Sequence, residues 1–109
     1  MQVIEEQALN DWLSAHPDWF VKGEELCGRY KFKDFMQAFG FLTQAAIFIE
    51  KHDHHPKIEN AYNKVQFSMN THDAGNKITD RDLKLAEAIE SIKWLKLKTF
   101  TPKLTAMKS

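Results

Sequence analysis

The sequence has very little cysteine, no excess of charge of either sign and no long hydrophobic run, and each absence excludes a class of protein. Cys27 is the single cysteine, so the chain cannot form an internal disulfide or a cysteine zinc site. Fifteen basic residues balance fifteen acidic ones, which argues against a surface for nucleic acid or for anionic lipid. No apolar run approaches the roughly 20 residues that span a bilayer, and the N-terminal residues lack a signal-peptide pattern. We therefore expect a cytoplasmic protein that contacts neither nucleic acid nor membrane directly.

The length and the apolar content predict one folded unit. A chain of 109 residues with 43% hydrophobic and 12% aromatic residues can build a single core. We predict that this domain spans residues 1–98 and that residues 99–109 form an extended or disordered tail.

Three segments have the apolar period of an amphipathic helix: Ile4 to Ala15, Asp34 to His52 and Asp80 to Lys96. In the second, Asp34 is a plausible N-cap. Its apolar stripe, predicted to face the core, consists of Phe35, Phe39, Leu42, Ala46 and Ile49, with Ala38 and Ala45 beside it. The last helix has its own stripe: Leu85, Ala88, Ile89, Ile92 and Leu95.

Strand signals lie between these helices. Residues 26–32 alternate between apolar and polar side chains, which is typical of a half-buried strand, and Trp19 to Val21 form a short strand before them. A second pair is predicted at Ile58 to Tyr62 and around Val65 to Met69. The order α-β-β-α-β-β-α with short connections predicts an α+β fold, in which a four-stranded antiparallel sheet carries three helices on one face.

Histidines occur beside the second strand pair. His54 and His55 precede Pro56, and His72 follows the last strand. If Asn63 and Lys64 form the hairpin turn, His55 lies opposite His72, with Cβ atoms about 5 Å apart. This register predicts that 17 residues of sequence separation become a near contact at the open end of the hairpin.

Three interpretations of these imidazoles are open from the residues alone. They could be solvated loop residues at a strand end. They could be metal ligands, because His52, Asp53, His54, His55 and His72 all carry donor atoms, although no standard ligand spacing is present. They could perform acid/base chemistry without a metal, since imidazole both gives and accepts a proton near neutral pH.

Several motifs in order resemble one known family. They are Glu50, separated by three residues from His54-His55-Pro56, then Tyr62, His72 and Asp82. Further support comes from the segments Phe32-Lys33-Asp34-Phe35, Tyr62-Asn63-Lys64-Val65 and Thr79-Asp80-Arg81-Asp82-Leu83. Together they are similar to the pterin-4a-carbinolamine dehydratases over most of the chain, from about Trp19 to Ile92.

The resemblance implies an enzyme of tetrahydrobiopterin recycling. Its substrate would be the 4a-hydroxytetrahydropterin made by aromatic amino acid hydroxylases, and its product the quinonoid dihydropterin plus water. The reaction involves no net oxidation, so neither a redox cofactor nor a metal is expected.

The resemblance also implies roles for particular residues. His54 and His72 would be the acid/base pair, with His55 and Asp82 completing the catalytic set. Substrate-binding positions would be Glu50, Pro56, Tyr62 and Thr71. From the residues alone, Asp82 has a second interpretation, as the third helical residue of a capping box that begins at Thr79.

A homodimer or homotetramer is expected from the resemblance, and an aromatic amino acid hydroxylase is an expected pathway partner. Two alternatives to the enzyme remain open. Animal relatives serve as dimerisation cofactors of a homeodomain transcription factor, so the chain could be a non-catalytic protein-binding module. It could also be a pterin-binding protein of molybdopterin metabolism.

Overall fold

The computed structural model describes residues 1–92 and confirms the α+β class with the element order α-β-β-α-β-β-α. The helices are α1 (Glu6–Ala15), α2 (Phe35–His52) and α3 (Asp80–Glu90). The strands are β1 (Trp19–Lys22), β2 (Glu25–Lys31), β3 (Lys57–Ala61) and β4 (Lys64–Met69). The predicted tail at 99–109 and the predicted end of the domain at 98 lie outside the described residues.

The four strands form one antiparallel sheet in the order β1-β2-β4-β3. The two hairpins are joined through β2 and β4, where Tyr30 lies opposite Val65. Alternation in β2 puts Leu26, Gly28 and Tyr30 on the face that the helices cover, as the sequence pattern predicted. The other face is mainly polar, with Arg29 donating to Gln66 at 3.0 Å.

The core lies between this sheet and the helices. Phe41 of α2 is fully buried, and its ring centroid lies 4.9 Å from that of Tyr30 and 4.8 Å from that of Phe32. Behind these rings, Trp19 Nε1 donates to the Tyr30 hydroxyl at 2.8 Å and to Glu90 Oε2 at 3.1 Å, and Tyr30 donates to the same carboxylate. Burial, reinforced by the negative charge of Glu90, raises the pKa of Tyr30.

The predicted core face of α2 is partly wrong. The buried residues of this helix are Ala38, Phe41, Ala45 and Ile49, whereas Phe35 and Phe39 are about half exposed, at 49% and 52%, and Ala46 is exposed. The helix is apolar on more than one side, so a stripe through Phe35 and Phe39 satisfies the helical period as well as the stripe that packs. Periodicity alone cannot decide between them.

The predicted hairpin register is also wrong. The turn between β3 and β4 consists of Tyr62 and Asn63, so Ala61 pairs with Lys64 and Lys57 with Ser68. His55 therefore does not lie opposite His72. The turn has two features that fit this register. Tyr62 adopts a positive φ of 54°, and Asn63 forms two hydrogen bonds with the Phe32 backbone, accepting its N–H and donating its side-chain amide to its carbonyl, at 2.8 Å each.

The last helix is shorter than predicted, because α3 ends at Glu90 rather than Lys96. Ser91 is the C-cap, and its backbone N–H still bonds to the carbonyls of Glu87 and Ala88 at 3.1 Å. The next N–H, of Ile92, bonds to the Ile89 carbonyl three residues back at 3.1 Å, so the last turn tightens and the helix ends. Residues 93–96 lie outside the described part of the chain. No helix among residues 1–92 has the length and apolarity that a membrane crossing requires.

The segment before α1 is attached to the start of α3. Val3 and Thr79 form an isolated antiparallel bridge, and the backbone N–H of Gln2 donates to Asp80 Oδ1 at 2.7 Å. This hydrogen bond lowers the pKa of the Asp80 carboxyl. The N-terminal turn of α3 is therefore fixed from outside as well as by its own cap.

Candidate active site

The C-terminal end of α2 sets the direction of His54. Asp53 takes the left-handed conformation (φ 50°, ψ 45°), its N–H bonds to the Glu50 carbonyl, and the N–H of His54 bonds to the Ile49 carbonyl at 3.4 Å. These two bonds form a Schellman motif, which stops the helix and turns the chain sharply. The imidazole of His54 is thereby directed inward, and this residue is only 9% exposed.

Inside the protein, His54 forms a hydrogen bond with Asp82. The distance from His54 Nε2 to Asp82 Oδ1 is 2.6 Å, and Asp82 is fully buried. Asp82 is the third residue of α3, and its other oxygen accepts the backbone N–H of Thr79 at 2.8 Å, which confirms the predicted capping box. One carboxylate therefore both caps a helix and supports a buried imidazole.

Two threonine hydroxyls complete the surroundings of this carboxylate. Thr71 Oγ1 donates to Asp82 Oδ2 at 2.9 Å and lies 2.6 Å from Thr79 Oγ1, which accepts the backbone N–H of Arg81. Because Thr71 uses its proton on the carboxylate, Thr79 must donate to Thr71. The bonds then run in one direction towards Asp82, and such a chain polarises each member.

This arrangement defines the tautomer of neutral His54. An ionised carboxylate only accepts hydrogen bonds, so the proton between His54 and Asp82 belongs to Nε2. Nδ1 of the neutral ring then carries a lone pair. A buried imidazole whose Nε2–H is held by a carboxylate is arranged to accept a proton at Nδ1, and the carboxylate stabilises the imidazolium that forms.

His72 is the residue directly after Thr71. It begins a short 3₁₀ turn, His72–Ala74, and its side chain is exposed, with Nδ1 3.3 Å from Asn76 Oδ1. The contact between Thr71 and Asp82 brings this part of the chain to the His54 pair. His72 follows Thr71 in the chain, so its backbone lies next to a residue that bonds to Asp82, while its side chain is exposed.

His55 lies one residue after His54 and faces solvent. Its Nε2 lies 3.1 Å from Glu50 Oε2, and both side chains are more than half exposed. The following residue, Pro56, is partly buried. Glu50, His55 and Pro56 therefore belong to the same chain reversal as His54, on its outer side.

Tyr62 does not join these residues. It forms the turn at the opposite end of β3 and is 65% exposed. Six residues of extended chain separate it from His55, a distance on the order of 20 Å. Thr71, which the resemblance implies as a substrate-binding residue, is 1% exposed and occupied by Asp82 and Thr79.

The sequence did not predict one role in the network: the Thr79 hydroxyl supports Asp82 through Thr71. A possible signal was the pattern of Thr79 three residues before Asp82, although this predicted only the helix cap. Within residues 1–92, no three His, Cys, Asp or Glu side chains are grouped as they would be around a metal ion.

Comparison with known proteins identifies the family. The family model described as pterin 4 alpha carbinolamine dehydratase matches residues 2–92. The chain belongs to the pterin-4a-carbinolamine dehydratase family. A relative from Prochlorococcus marinus (strain NATL2A), named "Putative pterin-4-alpha-carbinolamine dehydratase", is 40% identical over 92 residues, covering 84% of this chain and 96% of the relative. A relative of the same name from Rhizorhabdus wittichii is 46% identical over 84 residues, or 75% and 86% of the two chains.

Solved structures of proteins named for pterin dehydratases have the same fold as this member of the pterin-4a-carbinolamine dehydratase family. A transcriptional coactivator/pterin dehydratase from Brucella melitensis superposes with a TM-score of 0.75 at 42% identity, covering 83% of this chain and 97% of that one. A pterin dehydratase-like protein identified as a RuBisCO assembly factor in the alpha-carboxysome gives a TM-score of 0.60 at 20% identity, with coverages of 70% and 89%. At 20% identity, the similarity to this second structure shows a shared fold only.

Proposed function

We propose that this protein is a 4a-hydroxytetrahydrobiopterin dehydratase, which converts the 4a-carbinolamine to quinonoid dihydropterin and water. The observation that carries the proposal is the buried bond between His54 and Asp82, in a member of the pterin-4a-carbinolamine dehydratase family. The reaction breaks the C4a–O bond, removes the proton on N5 and makes a C4a–N5 double bond. It needs one proton acceptor and one proton donor, but no oxidant.

In this mechanism His54 is the base. Nδ1 takes the proton from N5, while the Nε2–H of His54 keeps its hydrogen bond to Asp82. The carboxylate of Asp82 balances the positive charge of the imidazolium that forms. The electron pair freed at N5 forms the double bond to C4a. Because the imidazole is already oriented by its buried partner, no reorganisation is needed when charge develops.

His72 is the proposed acid. As an exposed imidazole it exchanges protons with solvent, and in its protonated form it delivers a proton to the leaving 4a-oxygen as the C4a–O bond breaks. His55, paired with Glu50, holds the pterin. Solvent returns both histidines to their starting protonation states after the water and the product leave.

The cellular role follows from the same proposal. The enzyme would act in the cytoplasm in tetrahydrobiopterin biosynthesis and recycling, on the product of an aromatic amino acid hydroxylase. The hydroxylase is then a pathway partner, and the pterin is the direct ligand.

Stopped-flow absorbance of the 4a-carbinolamine tests this proposal. The wild-type protein is expected to exceed the uncatalysed rate, and His72→Ala to lower kcat about 100-fold, the usual scale of one acid or base. His55→Ala is expected mainly to raise KM. His52→Ala removes an exposed imidazole from the last residue of α2 and should match wild type. A wild-type rate equal to the uncatalysed rate would contradict the dehydratase proposal.

A surface observation favours a second function, protein binding. The side of α2 that does not pack on the sheet exposes four large apolar residues: Phe35 49%, Met36 76%, Phe39 52% and Ile47 64%. We propose that a second copy of this chain covers this face, which gives the expected homodimer or homotetramer. Apolar patches of this kind on a monomer usually mark an interaction site.

Phe39→Glu tests the apolar face of α2. A buried charge at an interface is costly, so the variant is expected to be smaller than wild type by light scattering while its circular dichroism is unchanged. Lys51→Glu changes a charge at the other end of the same helix and is the control. An unchanged mass for Phe39→Glu would remove α2 from the subunit contact.

A further inference from the structure

The turn that carries His54 has a second contact with α3. The guanidinium of Arg81 donates from Nη2 to the backbone carbonyl of Asp53 at 3.1 Å. Asp53 is the residue before His54, and Arg81 is the residue before Asp82. Two consecutive residues of one segment therefore bond to two consecutive residues of the other.

The contact falls on a strained point of the backbone. Asp53 is left-handed, with φ 50°, a conformation that residues with a side chain adopt infrequently. The Schellman bonds from Asp53 and His54 define the start of the turn, but they leave the Asp53 carbonyl without a helical partner. Arg81 supplies that partner from across the site, and so couples the left-handed turn to the first turn of α3.

We propose that Arg81 is a positioning residue, which holds the Asp53 carbonyl so that His54 keeps its bond to Asp82. This proposal rests on the proposed dehydratase function for its kinetic consequence, but not for its structural one. Arg81 acts through the backbone of the turn and not on the pterin. A misplacement of a catalytic group by about 1 Å can reduce a rate by up to about 100-fold.

Arg81→Ala leaves the helix cap intact, because the cap uses the backbone N–H of Arg81 and not its side chain. Water can replace the lost donor at the partly exposed carbonyl, so we expect a folded protein. We expect kcat to fall about tenfold with KM changed less than about twofold, since the base is displaced and the substrate contacts remain. Arg81→Lys restores one donor and should recover part of the loss.

A direct readout separates positioning from a general structural effect. Long-range ¹H–¹⁵N spectra report the two ring nitrogens of His54, and wild type should show a protonated Nε2 and an unprotonated Nδ1. Arg81→Ala should average these signals towards a mixture of tautomers, and Arg81→Lys should lie between. Lys84→Ala removes a positive charge from the same helix, where the Lys84 ammonium pairs with Asp80 at 3.8 Å, and should leave both spectrum and kcat unchanged.

Each combination of His54 spectrum and kcat leads to a different conclusion. A shifted His54 spectrum with a lower kcat supports the proposal. A wild-type spectrum in Arg81→Ala overturns it, whether or not kcat falls, and a shifted spectrum with an unchanged kcat overturns its kinetic consequence. If the wild-type protein has no dehydratase activity, the function proposed above fails, while the spectra alone still decide whether Arg81 positions His54.

Discussion

Asp82→Asn is expected to lower kcat for carbinolamine dehydration about 1,000-fold, because it reverses the tautomer of His54. The backbone N–H of Thr79 donates to Oδ2 and cannot turn round, so the amide oxygen of asparagine must occupy that position. The amide NH₂ group then faces His54. Its N–H requires a lone pair on Nε2, which moves the ring proton to Nδ1 and removes the base.

Stopped-flow kinetics and the ¹⁵N shifts of His54 measure this effect together. His54→Ala should cause a similar loss, and the double variant should be no worse than either single one, since the two residues act as a unit. Asp80→Asn is the matched control: it makes the same chemical change two residues earlier, and its amide oxygen can still accept the Gln2 N–H. A normal kcat in Asp82→Asn would exclude His54 Nδ1 as the base.

The fold was predictable because its local patterns are consistent. Residues 26–32 alternate clearly, and Asp34 was a plausible N-cap, which the structure confirms with a bond from the Gln37 N–H at 2.9 Å. The core face of α2 was not predictable in the same way. Phe41 and Phe39 lie on different sides of the helix, and only the presence of a sheet on one side decides which is buried.

The candidate site was likewise predictable only in part. His54 and Asp82 were both identified by resemblance, but their bond joins residues 28 apart through the end of α2 and the start of α3, and no local pattern predicts such a meeting. The predicted hairpin register placed His55 opposite His72, and this pairing is wrong. A turn of two residues can begin at Tyr62 or at Asn63, and the choice depended on the contact of Asn63 with Phe32, which is distant in sequence.

The second large effect concerns stability and arises at Gly28. Gly28→Ala is expected to lower the free energy of unfolding by about 3 kcal/mol, at the upper end of typical overpacking costs. A Cβ at this position would lie 2.6 to 2.7 Å from three atoms of the Trp19 indole. Gly28 does not need a positive φ, so the cost comes from the steric clash and not from the backbone.

The indole cannot easily move away. Trp19 is 3% exposed, its Nε1 is bonded to Tyr30 and Glu90, and its ring is stacked parallel to that of Phe67 with centroids 6.5 Å apart. A shift that relieves the clash would break these contacts. Urea unfolding measures the cost, with an unchanged m-value as evidence that only stability has changed.

Gly40→Ala is the matched control, because it is the same substitution in open space. Among residues 1–92, a Cβ built at Gly40, which is inside α2, meets no atom within 4 Å beyond its chain neighbours and the nearby backbone of its own helix. Alanine should therefore stabilise the protein by about 0.5–1 kcal/mol through helix propensity. Trp19→Phe should reduce the cost of Gly28→Ala, since a smaller ring relieves the clash, and the double-mutant cycle measures that coupling. Equal stability changes at Gly28 and Gly40 would show that the indole yields, and that glycine is not required beneath it.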